Sequence, residues 1–194
     1  MDTLVLFSGG VDSAVLVAKT IAEGRLGAAL HVSYSHPAQL SEAHAVAAIR
    51  LAYSKRGVLL PLQTVAVDIA ASQLDAGTGA AGPRVVPGRN ACLLSVATNV
   101  AASLGLSRVV FGATAEDLAE YADCRPEFVA AMSALASVWG VTIEAPLLGL
   151  HRAEVLAMGK ALDAPLDKAW SCYQPQDGKP CGKCGSCGQG AGAK

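Results

Sequence analysis

Aromatic residues make up only 5% of these 194 residues, and charged residues only 16%. The first scarcity leaves the core to aliphatic side chains and alanine, a strong helix former of little bulk, which favours close helix packing. The second, with a mean hydropathy of +0.39, excludes intrinsic disorder and raises the question of a membrane. No run is apolar enough to support one. The longest uncharged stretch, residues 90–107, carries Asn, Ser and Thr side chains that lipid would penalise, and it reads as a core helix. Also missing is a secretory signal: Met1-Asp2 offers no basic n-region and residues 4–7 are too short for an h-region, so a cytoplasmic protein is expected. Nor is there an excess of charge of either sign. With 15 basic and 16 acidic residues the net charge is -1, which speaks against nucleic acid as a direct substrate, since such binders displace counterions with positive charge.

The length suits one domain, or one domain plus a small appendage. A short apolar run at residues 3–7 ends in Ser8-Gly9-Gly10 and leads into a helical pattern over residues 12–23. Residues 26–32 read as a second strand, 41–56 as a helix with Ser41 as its N-cap, and 62–67 as a third strand. A loop rich in Gly, Ala and Pro covers residues 70–88 and is long enough to suggest a functional segment. Beyond it the pattern predicts helices over 90–104, 126–138 and 153–162, and strands over 108–111 and 142–145. The fold class is therefore α/β, a doubly wound, mostly parallel five-stranded sheet. Ligands in such sheets bind at the carboxyl ends of the strands, near the switch in strand order. The expected division is an α/β unit at residues 1–165 and a small cysteine-rich module at 166–194.

Between the first strand and helix stands Ser8-Gly9-Gly10-Val11-Asp12-Ser13. Helix N-termini carry unpaired N–H groups and a positive dipole end, glycines let backbone amides approach phosphate oxygens, and hydroxyls add donors. An isolated turn of this kind with an Asp cap would bind nothing; its place after a buried first strand points to phosphate. Asp12 beside polyphosphate either caps the helix or holds Mg²⁺. At the other end Cys172, Cys181, Cys184 and Cys187 form C-x8-C-x2-C-x2-C among glycines, a set that suits one structural Zn²⁺ with no position left for water. Iron–sulfur ligation is the competing reading.

The six residues from Ser8 match S-G-G-x-D-S and so resemble the PP-loop ATP pyrophosphatase superfamily, of adenine nucleotide alpha hydrolase-like fold, whose loop holds the pyrophosphate of ATP. Three further segments narrow the resemblance. They are Val86-Pro87-Gly88-Arg89-Asn90, the stretch from Gly112 through Glu116-Asp117 to Tyr121-Ala122-Asp123-Cys124-Arg125-Pro126-Glu127-Phe128, and Trp170-Ser171-Cys172-Tyr173 leading into the cysteines. Together they resemble the 7-cyano-7-deazaguanine synthase (QueC) family of queuosine biosynthesis, over essentially the whole chain.

That resemblance implies an ATP-dependent carbon–nitrogen ligase acting on 7-carboxy-7-deazaguanine and ammonia, with ATP, Mg²⁺ and one structural Zn²⁺, and a homodimer. It implies that Phe7, Ser8, Gly9, Gly10, Val11, Asp12 and Ser13 bind ATP. Ser8, Asp12, Ser13, Arg89, Glu116, Asp117 and Arg125 serve the chemistry, and Arg89, Asn90, Tyr121, Asp123, Arg125 and Phe128 contact the substrate. Arg89 and Arg125 are the available cations, and Glu116 or Asp117 accepts a proton from ammonium or holds Mg²⁺. Arg125, flanked by Asp123 and Glu127, could equally sit in a structural ion pair; Phe128 could equally be core, and Cys124 a packing residue. Two segments depart from the family. Where it has D-Y-G-Q-R-H this chain has Ser33-Tyr34-Ser35-His36-Pro37-Ala38, and where it has T-K-x-E this chain has His151-Arg152-Ala153-Glu154. The alternative reading is a diverged member that stops at the amide or attaches a deazaguanine to a protein or nucleic acid; a non-catalytic zinc module comes third.

Overall fold

A computed structural model describes residues 1–69 and 86–188. The chain runs β1 (Thr3–Leu6), α1 (Val11–Ala22), β2 (Leu26–Ser33), α2 (Gln39–Lys55), β3 (Leu62–Ala66), α3 (Arg89–Ser103), β4 (Arg108–Val110), α4 (Ala115–Glu120), α5 (Pro126–Ala136), β5 (Thr142–Glu144), α6 (Arg152–Ala161) and α7 (Gly185–Gly188). Apart from residues 86–88, the long loop expected at 70–88 lies outside the described residues.

All five strands pair in parallel in the order β3-β2-β1-β4-β5. Strand order reverses beside β1, whose neighbours are β2 and β4, so the crevice opens where β1 and β4 end. Side chains alternate across the sheet and fill two cores. Val5 and Ala29 face α1, α2 and α6 with Val15, Ile49 and Val155; Leu4, Ala28 and Leu30 face α3 and α5 with Leu94, Ala97 and Met132. Leu4, Leu16, Leu30 and Leu94 are at most 1% exposed, and each contributes about 1.5–3 kcal/mol by burial. Aliphatic residues carry both cores, as the lack of aromatics predicts.

Two local expectations are corrected. Helix α2 starts at Gln39 after Ala38, not at a Ser41 cap, because a turn closed by the Gln39 N–H on the His36 carbonyl (3.1 Å) delivers the chain into the helix early. Helix α5 stops at Ala136; a short 3₁₀ turn, Ser137–Trp139, then ends at Gly140 with φ 71°. No helix among the described residues is long and apolar enough to cross a membrane.

Candidate active site and cysteine centre

The turn after β1 is fixed from below. Phe7 is fully buried, its N–H donates to the Leu30 carbonyl at 2.7 Å, and its own carbonyl lies 3.2 Å from Nδ1 of the buried His31. Gly9 then adopts φ +84°, and a Cβ there would come within 2.9 Å of the Glu42 carbonyl, so only glycine fits against α2. Gly10 stands at the N-cap of α1 with no side-chain cap bond, which leaves the first-turn amides facing the crevice. Ser13 Oγ donates to the Gly10 carbonyl at 2.9 Å and lies 3.3 Å from Ser8 Oγ, while Gly10 N–H donates to Ser8 Oγ at 3.2 Å. Phe7 and Val11 put their side chains in the core and can offer only backbone to a ligand.

Asp12 does not cap α1. Its Oδ1 takes a 2.7 Å ion pair from Arg152 at the start of α6, 140 residues away. Gly112, past β4, makes the approach possible, since a Cβ there would lie 3.0 Å from that of Asp12. Burial raises the Asp12 carboxyl above its usual range; Arg152 opposes the shift and the nearby Asp117 charge adds to it. Asp117 Oδ2 accepts from the N–H and the hydroxyl of Thr114, both at 2.9 Å, forming a capping box on α4. Glu116 Oε1 accepts from the Arg152 N–H at 3.1 Å and lies 3.2 Å from His151 Nδ1. Its carboxyl is held below the usual range, chiefly by the Arg152 amide. Arg152 therefore joins Asp12 to Glu116.

On the facing side Arg89 is half-buried at the start of α3 and has no carboxylate salt bridge among the described residues. Burial opposes its charge, but Tyr34, which shares a hydrogen bond with it, together with Tyr173 and Asp123, outweighs burial and raises the guanidinium above its usual range. Tyr34 stacks on His36 with centroids 4.4 Å apart, and His36 Nε2 lies 3.4 Å from Glu42. Tyr121 is close enough to feel both Tyr173 and Arg89, and burial pushes its hydroxyl up to about 12. The departing segment 33–38 thus bears on the same site as Arg89.

The other expected substrate residues divide. Asn90 is tied to the turn beyond α4: its Nδ2 donates to the Asp123 carbonyl at 3.1 Å, and its N–H to Asp123 Oδ2 at 3.3 Å. Arg125 is exposed and joins no ion pair with Asp123 or Glu127. Phe128 packs against the second core. Cys124 is buried, and burial pushes its thiol up to about 12, which suits a packing residue and not a nucleophile. The sequence reading quoted Tyr34 and Tyr173 within its segments but gave neither a role, and it placed Arg152 only as a departure from T-K-x-E.

The four cysteine Sγ atoms lie within 4.8 Å of one another. Individual separations are 3.4 Å for Cys184–Cys187 and 4.0 Å for both Cys181–Cys187 and Cys172–Cys184. A tetrahedral ion with metal–sulfur bonds of about 2.3 Å holds its sulfurs roughly 3.8 Å apart, so the set fits one metal ion. The N–H groups of Lys183 and Cys184 point at Cys181 Sγ and draw its thiol down to about 6, the polarity a thiolate ligand needs. The arm that carries the cluster is pinned to the glycine turn. Ala169 is buried in the first core, the Trp170 N–H donates to the Gly9 carbonyl at 3.0 Å, and Trp170 Nε1 donates to the Cys172 carbonyl at 2.8 Å.

Comparison with known proteins bears on this arrangement. The family model described as "Queuosine biosynthesis protein QueC" matches residues 2–193. The chain is 34% identical over 204 residues to the 7-cyano-7-deazaguanine synthase of Methanospirillum hungatei JF-1, covering 96% of this chain and 91% of that protein. It is 36% identical over 203 residues to the synthase of the same name from Koribacter versatilis Ellin345, covering 95% and 84%. Among solved structures, NMN synthetase from Francisella tularensis superposes with a TM-score of 0.59 at 19% identity over 95% of this chain and 70% of that one. The U34-tRNA thiolase NcsA from Methanococcus maripaludis, solved with its [4Fe-4S] cluster, gives 0.56 at 15% identity over 91% and 62%. At those identities the two structures share the fold alone.

Proposed function

The chain belongs to the QueC family of queuosine biosynthesis proteins, and on that premise we propose that it is an ATP-dependent ligase that converts 7-carboxy-7-deazaguanine and ammonia into 7-cyano-7-deazaguanine. The observation that carries this reading is the uncapped Ser8–Ser13 turn at the strand switch, with Arg152 bonded to its Asp12. A carboxylate resists ammonia until one of its oxygens becomes a leaving group. In the first step the acid's oxygen attacks the α-phosphorus of ATP and pyrophosphate departs into the turn, where amides and hydroxyls receive it. Ammonia then adds to the carbonyl carbon, AMP leaves and a proton is lost, which gives the amide. A second adenylyl transfer, to the amide oxygen, is followed by loss of AMP and a proton, and the nitrile remains.

The residues divide the work. Ser8, Gly9, Gly10 and Ser13 hold the leaving pyrophosphate, and Arg152 offsets its charge while it orients Asp12. Asp12 and Asp117, close enough to repel each other, fit Mg²⁺, which supplies charge neutralisation on the phosphates. Glu116, held ionised at neutral pH, binds ammonium as its counter-charge and positions the nitrogen for attack. Arg89 binds the substrate carboxylate, and Tyr121 contacts the flat ring. Asn90 and Asp123 brace α3 against the α4 turn and so aim Arg89, with Arg125 and Phe128 at the border of this site. Cys172, Cys181, Cys184 and Cys187 hold Zn²⁺; four sulfurs converging on one point suit a single ion better than a cluster of several irons placed between them. The working unit in this reading is a homodimer.

The test is ATP–pyrophosphate exchange dependent on 7-carboxy-7-deazaguanine, followed by mass spectrometry of the product formed with ammonium. A nitrile mass is expected. Accumulation of the amide alone shows that the chemistry stops half-way, and no exchange by metal-loaded, folded protein overturns the assignment. A colourless protein with one zinc per chain is expected; a brown one with iron and sulfide overturns zinc.

A further inference from the structure

Arg89 is a half-buried guanidinium at the start of α3 that feels Tyr34, Tyr173 and Asp123, and its planar fork suits a carboxylate. Its neighbours are three phenols from remote parts of the chain: Tyr34 after β2, Tyr121 after α4, and Tyr173, which directly follows a cysteine of the cluster. Tyr173 is the unexpected member. Its backbone is anchored on both sides: Trp170 is bonded to Gly9, Cys172 is 3% exposed and Cys172 Sγ accepts the Cys181 N–H at 3.2 Å. Its hydroxyl lies beside Ser186, between two further cysteines, and near enough to Asp117, Arg89 and Asp12 to feel their charges. Yet the residue as a whole is 42% exposed. A ring that served only to pack the arm would be buried; this one keeps its hydroxyl within reach of Asp117, Arg89 and Asp12 and much of its surface open.

We propose that Tyr173 is a substrate-contacting residue and that the cysteine arm, clamped by its metal, is one wall of the acceptor pocket. A planar anionic heteroaromatic acid lies among Tyr34, Tyr121 and Tyr173 with its carboxylate on Arg89. The four sulfurs then do more than stabilise the chain end: they fix the distance from Tyr173 to Arg89, while the Trp170–Gly9 bond sets that wall against the phosphate turn. This rests on the substrate reading given above.

The experiment is calorimetric binding of 7-carboxy-7-deazaguanine, with α,β-methylene-ATP present, to metal-loaded wild type, Tyr173→Phe and Tyr173→Ala, with zinc content measured for each. Tyr173→Ala should weaken acid binding by at least about tenfold, while Tyr173→Phe, which keeps the ring, stays within about threefold and nucleotide affinity is unchanged in both. Chelation of the wild type should weaken acid binding at least as much as Tyr173→Ala does and leave nucleotide binding in place. If Tyr173→Ala loses zinc, Tyr173→Leu, fuller in volume, takes its place. Wild-type acid affinity in a zinc-loaded Ala or Leu variant overturns the proposal alone. A wild type that does not bind the acid at all overturns the substrate reading, and the proposal falls with it.

Discussion

The proposed phosphate side of the site is made from consecutive residues, Ser8 to Ser13, whereas the proposed acceptor side draws on Tyr34, Arg89, Tyr121 and Tyr173 from four separate segments. The first is set by local backbone: a buried strand, a glycine at φ +84°, and an uncapped helix. The second exists only once the sheet is assembled and the cysteine arm has folded back. A turn of the first kind grips any polyphosphate, so chemistry common to a superfamily belongs there. In the proposed reading specificity for one acid belongs to the second, whose residues share no local backbone constraint. The departure at residues 33–38 falls on that side: His36 stacks on Tyr34, which bonds Arg89.

The two sides should separate under mutation. The double change Ser8→Ala, Asp12→Ala removes one of the two hydroxyls at the turn and the partner of Arg152, and should cut exchange by at least about 10³-fold. Circular dichroism and zinc content should stay those of the wild type, because the four sulfurs lie outside the turn. Exchange within tenfold of wild type would refute the assignment of the turn. Arg89→Lys keeps the charge but loses the planar fork, and should lower kcat/KM for the acid by about 10–100-fold with nucleotide affinity held. Parallel loss of nucleotide affinity would erase the distinction between the sides.

Gly9→Ala tests whether the turn is as tightly specified as its geometry implies. A Cβ at φ +84°, facing a carbonyl 2.9 Å away, should cost about 1–3 kcal/mol in urea unfolding. It should also weaken nucleotide binding more than acid binding. A neutral substitution would mean that α2 can retreat and that the turn is softer than its contacts suggest.

How much of this could be read from residues alone follows the same division. The strand–turn–helix unit, the parallel sheet and the cysteine set depend on neighbours in sequence: alternating burial, glycine at a turn, and x2 spacings. All were legible. The Arg152 partner of Asp12 was not, since it lies 140 residues on, and local reasoning named a cap or a metal but no ion pair. Asn90 was read as a ligand, and its bonds to Asp123 were not foreseen, because α4 and its turn bring Asp123 there. Tyr173 was hidden by its neighbour: a residue beside a metal-ligating cysteine reads as part of the clamp until the Trp170–Gly9 bond shows where the clamp sits.

The smallest expected effect concerns the joint between the two sides. Glu116 accepts the Arg152 N–H and meets His151, and these contacts hold its carboxyl below the usual range. A carboxyl lowered by folding adds stability that is fully present above its unfolded pKa, about 4.3, and is lost as pH falls through the lower, folded value. The Glu116 side chain is 38% exposed, so solvent screening should keep that contribution below about 1 kcal/mol. Glu116→Gln should therefore be slightly less stable than wild type at pH 7, and the difference in urea unfolding should shrink as pH falls below about 4. A gap that widened with acid would mean that Glu116 binds its proton more readily when folded. Glu116 would then be a strained carboxylate, and the Arg152 amide would not be what holds it.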